Sequence, residues 1–334
     1  MDTWSWAPSR SDSSRWASTP WSARDGCACW AARERHNRGG AQTRGSQMSA
    51  VRLQTARATS LLILSPRAGS MNPDVEAKIR KAFDGSLIVE FDPRMDLDNL
   101  ITRTATVIVA GGDGTIGWVV RRLVDSKHPV GIISMGTFNN FAKSLHLPTT
   151  VDAAIRVVKN GKPHPITLGR VNGTVFLEAA AIGLFGATIA AGDAAKDLAF
   201  GAFADAARRV ITARQFSYEL TGDITGEGSA MSLVFTNTRS IGTQMPVSDK
   251  TPEDPFLELS VHAGSNRTDI VRRVLARTVL SKDGEEGLGQ RFRFRKLQVT
   301  TKPRARIYAD NIRVGLTPAS ISAELSALKV ILPR

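Results

Sequence analysis

Between residues 61 and 134, short apolar runs alternate with helically spaced segments, and three of those runs end in a polar glycine turn. The run 61–64 leads into Ser65-Pro66-Arg67-Ala68-Gly69-Ser70, and the β-branched run 106–110 leads into Gly111-Gly112-Asp113-Gly114-Thr115. The run 130–134 leads into Gly136-Thr137-Phe138-Asn139-Asn140. Val75, Ile79 and Phe83 lie four apart, so 73–83 is predicted helical. Residues 87–91 read as a further strand and 116–124 as a further helix. Such a β-α-β-α order implies a largely parallel sheet with helices on both faces. Ligands of these sheets lie at the carboxyl ends of the strands. Three polar glycine turns at strand ends are therefore expected to converge on one edge, in an α/β nucleotide-binding domain spanning 58–162.

The pattern changes after Pro163. Apolar runs at 165–171, 174–182, 216–220, 230–236, 257–263, 291–300 and 304–309 are separated by turn residues, which predicts a second, antiparallel β-sandwich domain over 163–310. Helical patterns are expected at 194–213 and 268–279, and 311–334 is expected to return to the first domain. Residues 174–191 are long enough to be weighed as a membrane span. Glu178 inside the stretch would cost roughly 3 kcal/mol on insertion. Gly183 and Gly186 break it, so a buried strand and turn are expected and no transmembrane helix.

Residues 1–47 contain no Leu, Ile or Val but hold Trp4, Trp6, Trp16, Trp21 and Trp30 and both cysteines, Cys27 and Cys29. Without aliphatic side chains a segment cannot offset its ordering entropy. It is expected to be a disordered tail, with Met48 as a candidate start. It also lacks the continuous apolar stretch of a secretory signal. Two cysteines exclude a disulfide framework and a four-cysteine zinc site. The net charge of +13 predicts anionic partners. The scarcity of aromatic residues after 47 argues against a nucleic-acid stacking platform. The five histidines show no metal-ligand spacing, and no Gly-x-Ser-x-Gly occurs.

The turn 111–115 is a phosphate cradle in principle: glycines tolerate positive φ and admit backbone N–H groups close to an anion, and the helix that follows adds its positive end. Gly112-x-Gly114-x-x-Gly117 also satisfies a dinucleotide pattern. The next strand, however, ends in Ser134-Met135, with no acid for a ribose. Asp113 would repel a pyrophosphate unless a cation intervenes or the residue serves as a cap.

Gly-Gly-Asp-Gly-Thr at 111–115 followed by Gly-Thr-x-Asn-x-Phe-Ala at 136–142 resembles the diacylglycerol kinase catalytic-domain family, which includes bacterial lipid kinases and sphingosine kinases. NAD kinases share the first motif but not the second. Ser65-Pro66-Arg67-Ala68-Gly69 sits where the family has Asn-Pro-x-Ser-Gly, and 176–183 resembles its Phe-x-Asn-x-x-x-x-Gly strand. Glu253-Asp254-Pro255-Phe256 resembles its Asp-Asp-Gly-Leu, Asp310 the first residue of its Asp-Gly-Glu, and Thr317-Pro318 a Thr-Pro shortly after. The resemblance covers roughly 60–334.

The resemblance implies a two-domain, ATP- and Mg2+-dependent kinase that phosphorylates a lipid hydroxyl at an anionic membrane surface, cytoplasmic and peripheral to the bilayer. It would place the nucleotide on Gly111, Gly112, Asp113, Gly114, Thr115, Ile116, Gly117, Gly136, Thr137 and Asn139, with Arg67 and Gly69 beside them. It would place a magnesium site at Asp254 and make Asp310, near the attacking hydroxyl, the catalytic residue. Arg208, Arg209 and Arg214, or Arg291, Arg293, Arg295 and Lys296, are candidates for the membrane-facing charge, against the plainer reading of solvated faces. The departures fall on chemistry. Asp-Gly-Glu is Asp310-Asn311-Ile312, the Asp after Gly-Thr-x-Asn is Asn140, and the acidic glycine turn has Pro255. A non-catalytic nucleotide- or lipid-binding protein on the same fold, and an NAD kinase-like enzyme, are the alternatives. The oligomeric state is open.

Overall fold

In the parallel strands of the chain, period-two alternation sends successive side chains to opposite faces. The computed structural model describes residues 59–102, 104–183, 215–241, 245–246, 248–262, 291–310 and 312–334. The expected tail, the helices at 194–213 and 268–279, and the arginines at 208, 209 and 214 lie outside them. The first elements are β1 (Ser60–Leu64), α1 (Pro73–Ala82), β2 (Leu87–Glu90), α2 (Leu97–Ile101), β3 (Thr106–Gly111), α3 (Asp113–Leu123), β4 (Val130–Ser134), α4 (Asn140–Ser144) and α5 (Val151–Asn160). β2, β1, β3 and β4 lie side by side in parallel. Leu61, Ile63, Val107, Val109, Val130 and Ile132 face one way and bury Ile116, Val119, Val120 and Leu123 of α3. Leu62, Leu64, Ile108, Ala110 and Ile133 face the other way, against Ile79 of α1 and Ala154, Ile155 and Val158 of α5. Both faces are covered, as the continuous apolar runs require.

Local chemistry starts the helices. Asn72 caps α1 by accepting from the Val75 N–H at 2.9 Å, and Pro73 occupies the first turn, where its missing N–H does no harm. α3 begins at Asp113, three residues before the expected start, and its N-cap Gly112 offers no side-chain cap.

The remaining strands are β5 (Lys162–Val171), β6 (Thr174–Phe176), β7 (Ala179–Gly183), β8 (Phe216–Gly222), β9 (Gly226–Ala230), β10 (Ser232–Thr236), β11 (Ser240–Ile241), β12 (Met245–Pro246), β13 (Leu257–His262), β14 (Arg291–Phe294), β15 (Lys296–Lys302), β16 (Arg306–Ala309), β17 (Ile312–Leu316) and β18 (Ala319–Leu332). Six of them form an antiparallel sheet in the order β14-β13-β10-β7-β16-β17. The other large sheet is mixed. The long strand β18 lies parallel to β4, at Val330 beside Val130, and antiparallel to β15, at Ile321 beside Leu297. It therefore joins the parallel strands to β15, β8 and β9 in one sheet. Val171, Leu220, Leu297, Val299 and Ile321 of this sheet meet Ile182, Leu233, Phe235, Leu259 and Ile307 of the six-stranded sheet in a shared core. This is the parallel α/β region with an antiparallel sandwich that the strand patterns imply. The expected strand over 174–182 is interrupted at Leu177 and Glu178. Among the described residues no helix is long and apolar enough to cross a membrane.

Candidate functional site

The three glycine turns meet at the carboxyl edge of β1, β3 and β4. Ser70 N–H donates to the Met135 carbonyl at 3.0 Å, and Met135 N–H to the Gly111 carbonyl at 2.8 Å. A Cβ on Gly136 would lie 2.9 Å from Gly112 Cα, and one on Gly69 would lie 3.5 Å from Thr137 Oγ1. Gly112 and Gly136 are needed because two backbones touch. Neither has a positive φ, contrary to the conformational reason the sequence suggests. The left-handed residue of the turn after β4 is Asn139, at φ 54°. Its side chain closes the turn on itself, accepting from Gly136 N–H and donating to Gly136 O, each at 2.9 Å.

Asp113 locks the two turns together: its Oδ2 accepts the Asn139 N–H at 2.8 Å. The acid that is awkward for a phosphate cradle thus caps the neighbouring turn. Gly114, Thr137, Arg67 and Gly69 are exposed on this rim. Thr115 is buried against Gly111, and Ile116 lies in the core at 0% exposure. A Cβ on Gly117 would meet Arg121 Nη1 at 3.1 Å, so this glycine leaves room for a guanidinium.

That guanidinium reaches the second cluster. Arg121 Nη2 lies 2.5 Å from Asp310 Oδ2, and its Nε donates to the Val175 carbonyl at 3.1 Å. Asp310 sits at φ 49° on the β16–β17 turn. Its carboxylate also accepts backbone N–H groups from Leu177 at 3.1 Å, Glu178 at 2.9 Å and Ala179 at 3.3 Å. Glu178 in turn accepts from Asn140 Nδ2 at 3.1 Å, and Asn140 Oδ1 accepts from Ser240 Oγ at 3.1 Å. Asn140 follows directly on Asn139, so Asp310 and the glycine rim belong to one connected polar region.

Asp254 lies in a different setting. Its Oδ2 accepts from Thr251 N–H at 2.8 Å and faces Thr251 Oγ1 at 3.4 Å, closing the 251–254 turn. The neighbouring cation is already in the chain. Lys250, 2% exposed, donates to Asn237 Oδ1 at 2.9 Å and to the Thr251 carbonyl at 2.7 Å. Burial pushes this ammonium down to about 8, against the pull of Asp254 and Glu258. Among the described residues no three His, Cys, Asp or Glu side chains gather as a metal site. A turn-capping carboxylate beside a buried ammonium does not fit a divalent cation, so the magnesium role expected of Asp254 finds no donor set there.

Three arginines of the basic run 291–296 have partners. Arg291 pairs with Asp249 at 3.5 Å and Arg293 with Glu258 at 3.4 Å, while Arg295 Nε donates to the Pro255 carbonyl at 3.0 Å. Sequence reasoning missed Arg121, Glu178, Ser240 and Lys250. Arg121 reads as an ordinary helix cation, and nothing local to it announces a partner 189 residues away.

Residues 61–171 match the sequence-family model of the diacylglycerol kinase catalytic domain. A diacylglycerol kinase of Staphylococcus carnosus is 42% identical over 79 residues, 23% of this chain and 26% of the relative. A probable YegS-like lipid kinase of Yersinia pestis is 31% identical over 142 residues, 39% of this chain and 48% of the relative. The chain thus matches between about a quarter and a half of the length of these curated relatives. The crystal structure of a diacylglycerol kinase from Bacillus anthracis superposes with a TM-score of 0.64 at 19% identity, covering 82% of this chain and 97% of that one. At that identity the likeness speaks for the fold. The resemblance carried by the two glycine motifs is borne out as a similarity: residues 61–171 match the diacylglycerol kinase catalytic-domain model, and the chain has the fold of the Bacillus anthracis diacylglycerol kinase.

Proposed function

We propose that this protein is an ATP-dependent lipid kinase that transfers the γ-phosphate of ATP to a lipid hydroxyl. The observation that carries the reading is the meeting of three backbone turns, 65–70, 111–115 and 135–139, on one sheet edge beside the uncapped start of α3. Backbone N–H groups and a helix N-terminus are suited to the phosphates of a nucleotide. Phosphoryl transfer asks the protein mainly for positioning and charge stabilisation. Magnesium would enter with the nucleotide and neutralise charge developing on the phosphates. The expected setting is an anionic bilayer approached from the cytoplasm.

The test is transfer of label from γ-labelled ATP, with magnesium, to a panel of lipids bearing free hydroxyls in anionic vesicles. One phosphorylated lipid is the expected product. ATP binding without transfer to any member of the panel would favour a non-catalytic nucleotide-binding protein. Preferential binding of NAD over ATP would favour the NAD kinase-like alternative.

A further inference from the structure

The magnesium that the resemblance implies at Asp254 finds no donor set, yet the oxygens beside that residue are gathered around a cation. Lys250 Nζ has three protons and three carbonyl oxygens in reach: Thr251 O at 2.7 Å, Asn237 Oδ1 at 2.9 Å and Asn237 O at 3.4 Å. Asp254 and Glu258 supply opposite charge nearby. Amide and backbone carbonyls with a carboxylate close by are what a hard cation asks of a protein. Here a side-chain ammonium, in a residue 2% exposed, takes them. Being covalently attached, this charge cannot dissociate.

Asn237 passes the tie onward. It follows directly on β10 and is 0% exposed. Its Nδ2 donates to the carbonyls of Thr167 and Leu177, each at 3.0 Å, and its N–H to the Glu178 carbonyl at 2.8 Å. An ammonium only donates and a carbonyl only accepts, so Lys250 dictates which way the Asn237 amide faces. Flipped, the amide would set its NH2 against the ammonium and its oxygen against two carbonyls. Leu177 and Glu178 give their own N–H groups to Asp310. One run of bonds thus joins the ammonium to Asp310 and, through Arg121, to the helix that opens at the 111–115 turn. The Pro252 carbonyl also accepts the Thr167 N–H at 2.7 Å, so the turn that follows Lys250 grips β5 as well.

We infer that Lys250 is a built-in cation: its ammonium takes the place of a resident divalent ion in this region and, through Asn237, positions residues 177 and 178 and the Asp310 carboxylate they bind. Magnesium is then needed only where it arrives with the nucleotide. The cation assignment stands without the kinase reading above, and only its effect on turnover rests on that reading.

Three measurements on the full chain test this. Nucleotide-free wild type, titrated calorimetrically with magnesium chloride, should show no saturable heat, and it should melt at the same temperature in EDTA and in magnesium. Lys250→Met keeps a long side chain and removes the charge. It should speed amide hydrogen exchange at residues 177–179 and lower kcat, each by about ten-fold or more, with KM for ATP unchanged, the scale on which lost outer contacts of a cation site act. In Lys250→Ala, methylammonium should restore exchange protection and tetramethylammonium, which has no N–H to donate, should not. Saturable magnesium binding by nucleotide-free wild type that Asp254→Asn abolishes overturns the assignment. So does unchanged exchange at 177–179 in Lys250→Met. A loss that methylammonium leaves unrepaired overturns it too, making Lys250 a packing residue. Wild type that binds ATP but labels no lipid overturns the kinase reading alone, and the magnesium titration and exchange rates still decide the cation.

Discussion

Arg121 on α3 and Asp310 on the β16–β17 turn form an ion pair at 2.5 Å, with side chains only 19% and 14% exposed. It pins the helix that opens at the first glycine turn to the six-stranded sheet. Removing one partner of a largely buried pair leaves the other uncompensated, an effect of about 3–5 kcal/mol when nothing else satisfies it. Asp310 keeps three backbone donors, so Arg121→Met is expected to destabilise by less, about 2–3 kcal/mol. Urea unfolding of Arg121→Met, Asp310→Asn and the double variant should show a coupling of about 1–3 kcal/mol. Additivity of the two single effects would mean that the pair contributes nothing beyond its parts.

Gly136 and Gly114 both belong to the glycine turns but should fail differently. A methyl on Gly136 meets Gly112 Cα at 2.9 Å and Asn139 Oδ1 at 2.8 Å, so Gly136→Ala must push two backbones apart. It is expected to lower both the melting temperature and the ATP affinity. A methyl on Gly114 meets nothing within 4 Å. Gly114→Ala should keep the melting temperature and weaken ATP binding at least ten-fold, if phosphate oxygens approach that amide closely. Calorimetric titration with ATP–Mg2+ beside thermal unfolding separates the two. Unchanged affinity in Gly114→Ala would place the nucleotide away from this turn.

Asn139 holds a left-handed conformation that asparagine tolerates and alanine does not, at roughly 1–2 kcal/mol. Asn139→Ala also removes both side-chain bonds to Gly136. Asn139→Gly removes the same bonds without the backbone strain. The alanine variant is therefore expected to be the less stable by about 1 kcal/mol or more. Both should speed hydrogen exchange at residues 136–140. Equal stability of the two variants would show that strain plays no part.

The parallel sheet and the convergence of its turns were legible because strand runs such as 106–110 are β-branched, bounded by glycine and spaced by helical periods. The polar knot behind them was not. The bonds from residues 177–179 to Asp310 join positions more than 130 apart in sequence, and no local pattern encodes such a contact. The motif correspondence located Asp310 and Asp254 but not their chemistry. Asp310 is engaged by Arg121, whose partner only folding reveals. Asp254 closes its own turn. The role of Asp113 was half legible: a capping acid was foreseen, but for its own helix rather than for the turn at Asn139.

Lys250 makes the stability depend on pH in a defined direction. Its ammonium titrates near 8 in the folded protein, against an ordinary value of 10.5, because burial disfavours the charge. Below pH 8 it is charged in both folded and unfolded chains, and the burial penalty acts in full. Between pH 8 and 10.5 the unfolded chain binds more protons than the folded one, so the unfolding free energy rises with pH. Across that window the gain approaches about 3 kcal/mol. Other groups titrate there too, so the measurement is a difference: the unfolding free energy of wild type minus that of Lys250→Met, followed from pH 7 to 10.5. It should climb with pH and flatten at the top, because methionine has no proton to lose. A flat difference would mean that Lys250 reaches water, and that its bonds to Asn237 and Thr251 are not made by a desolvated ammonium.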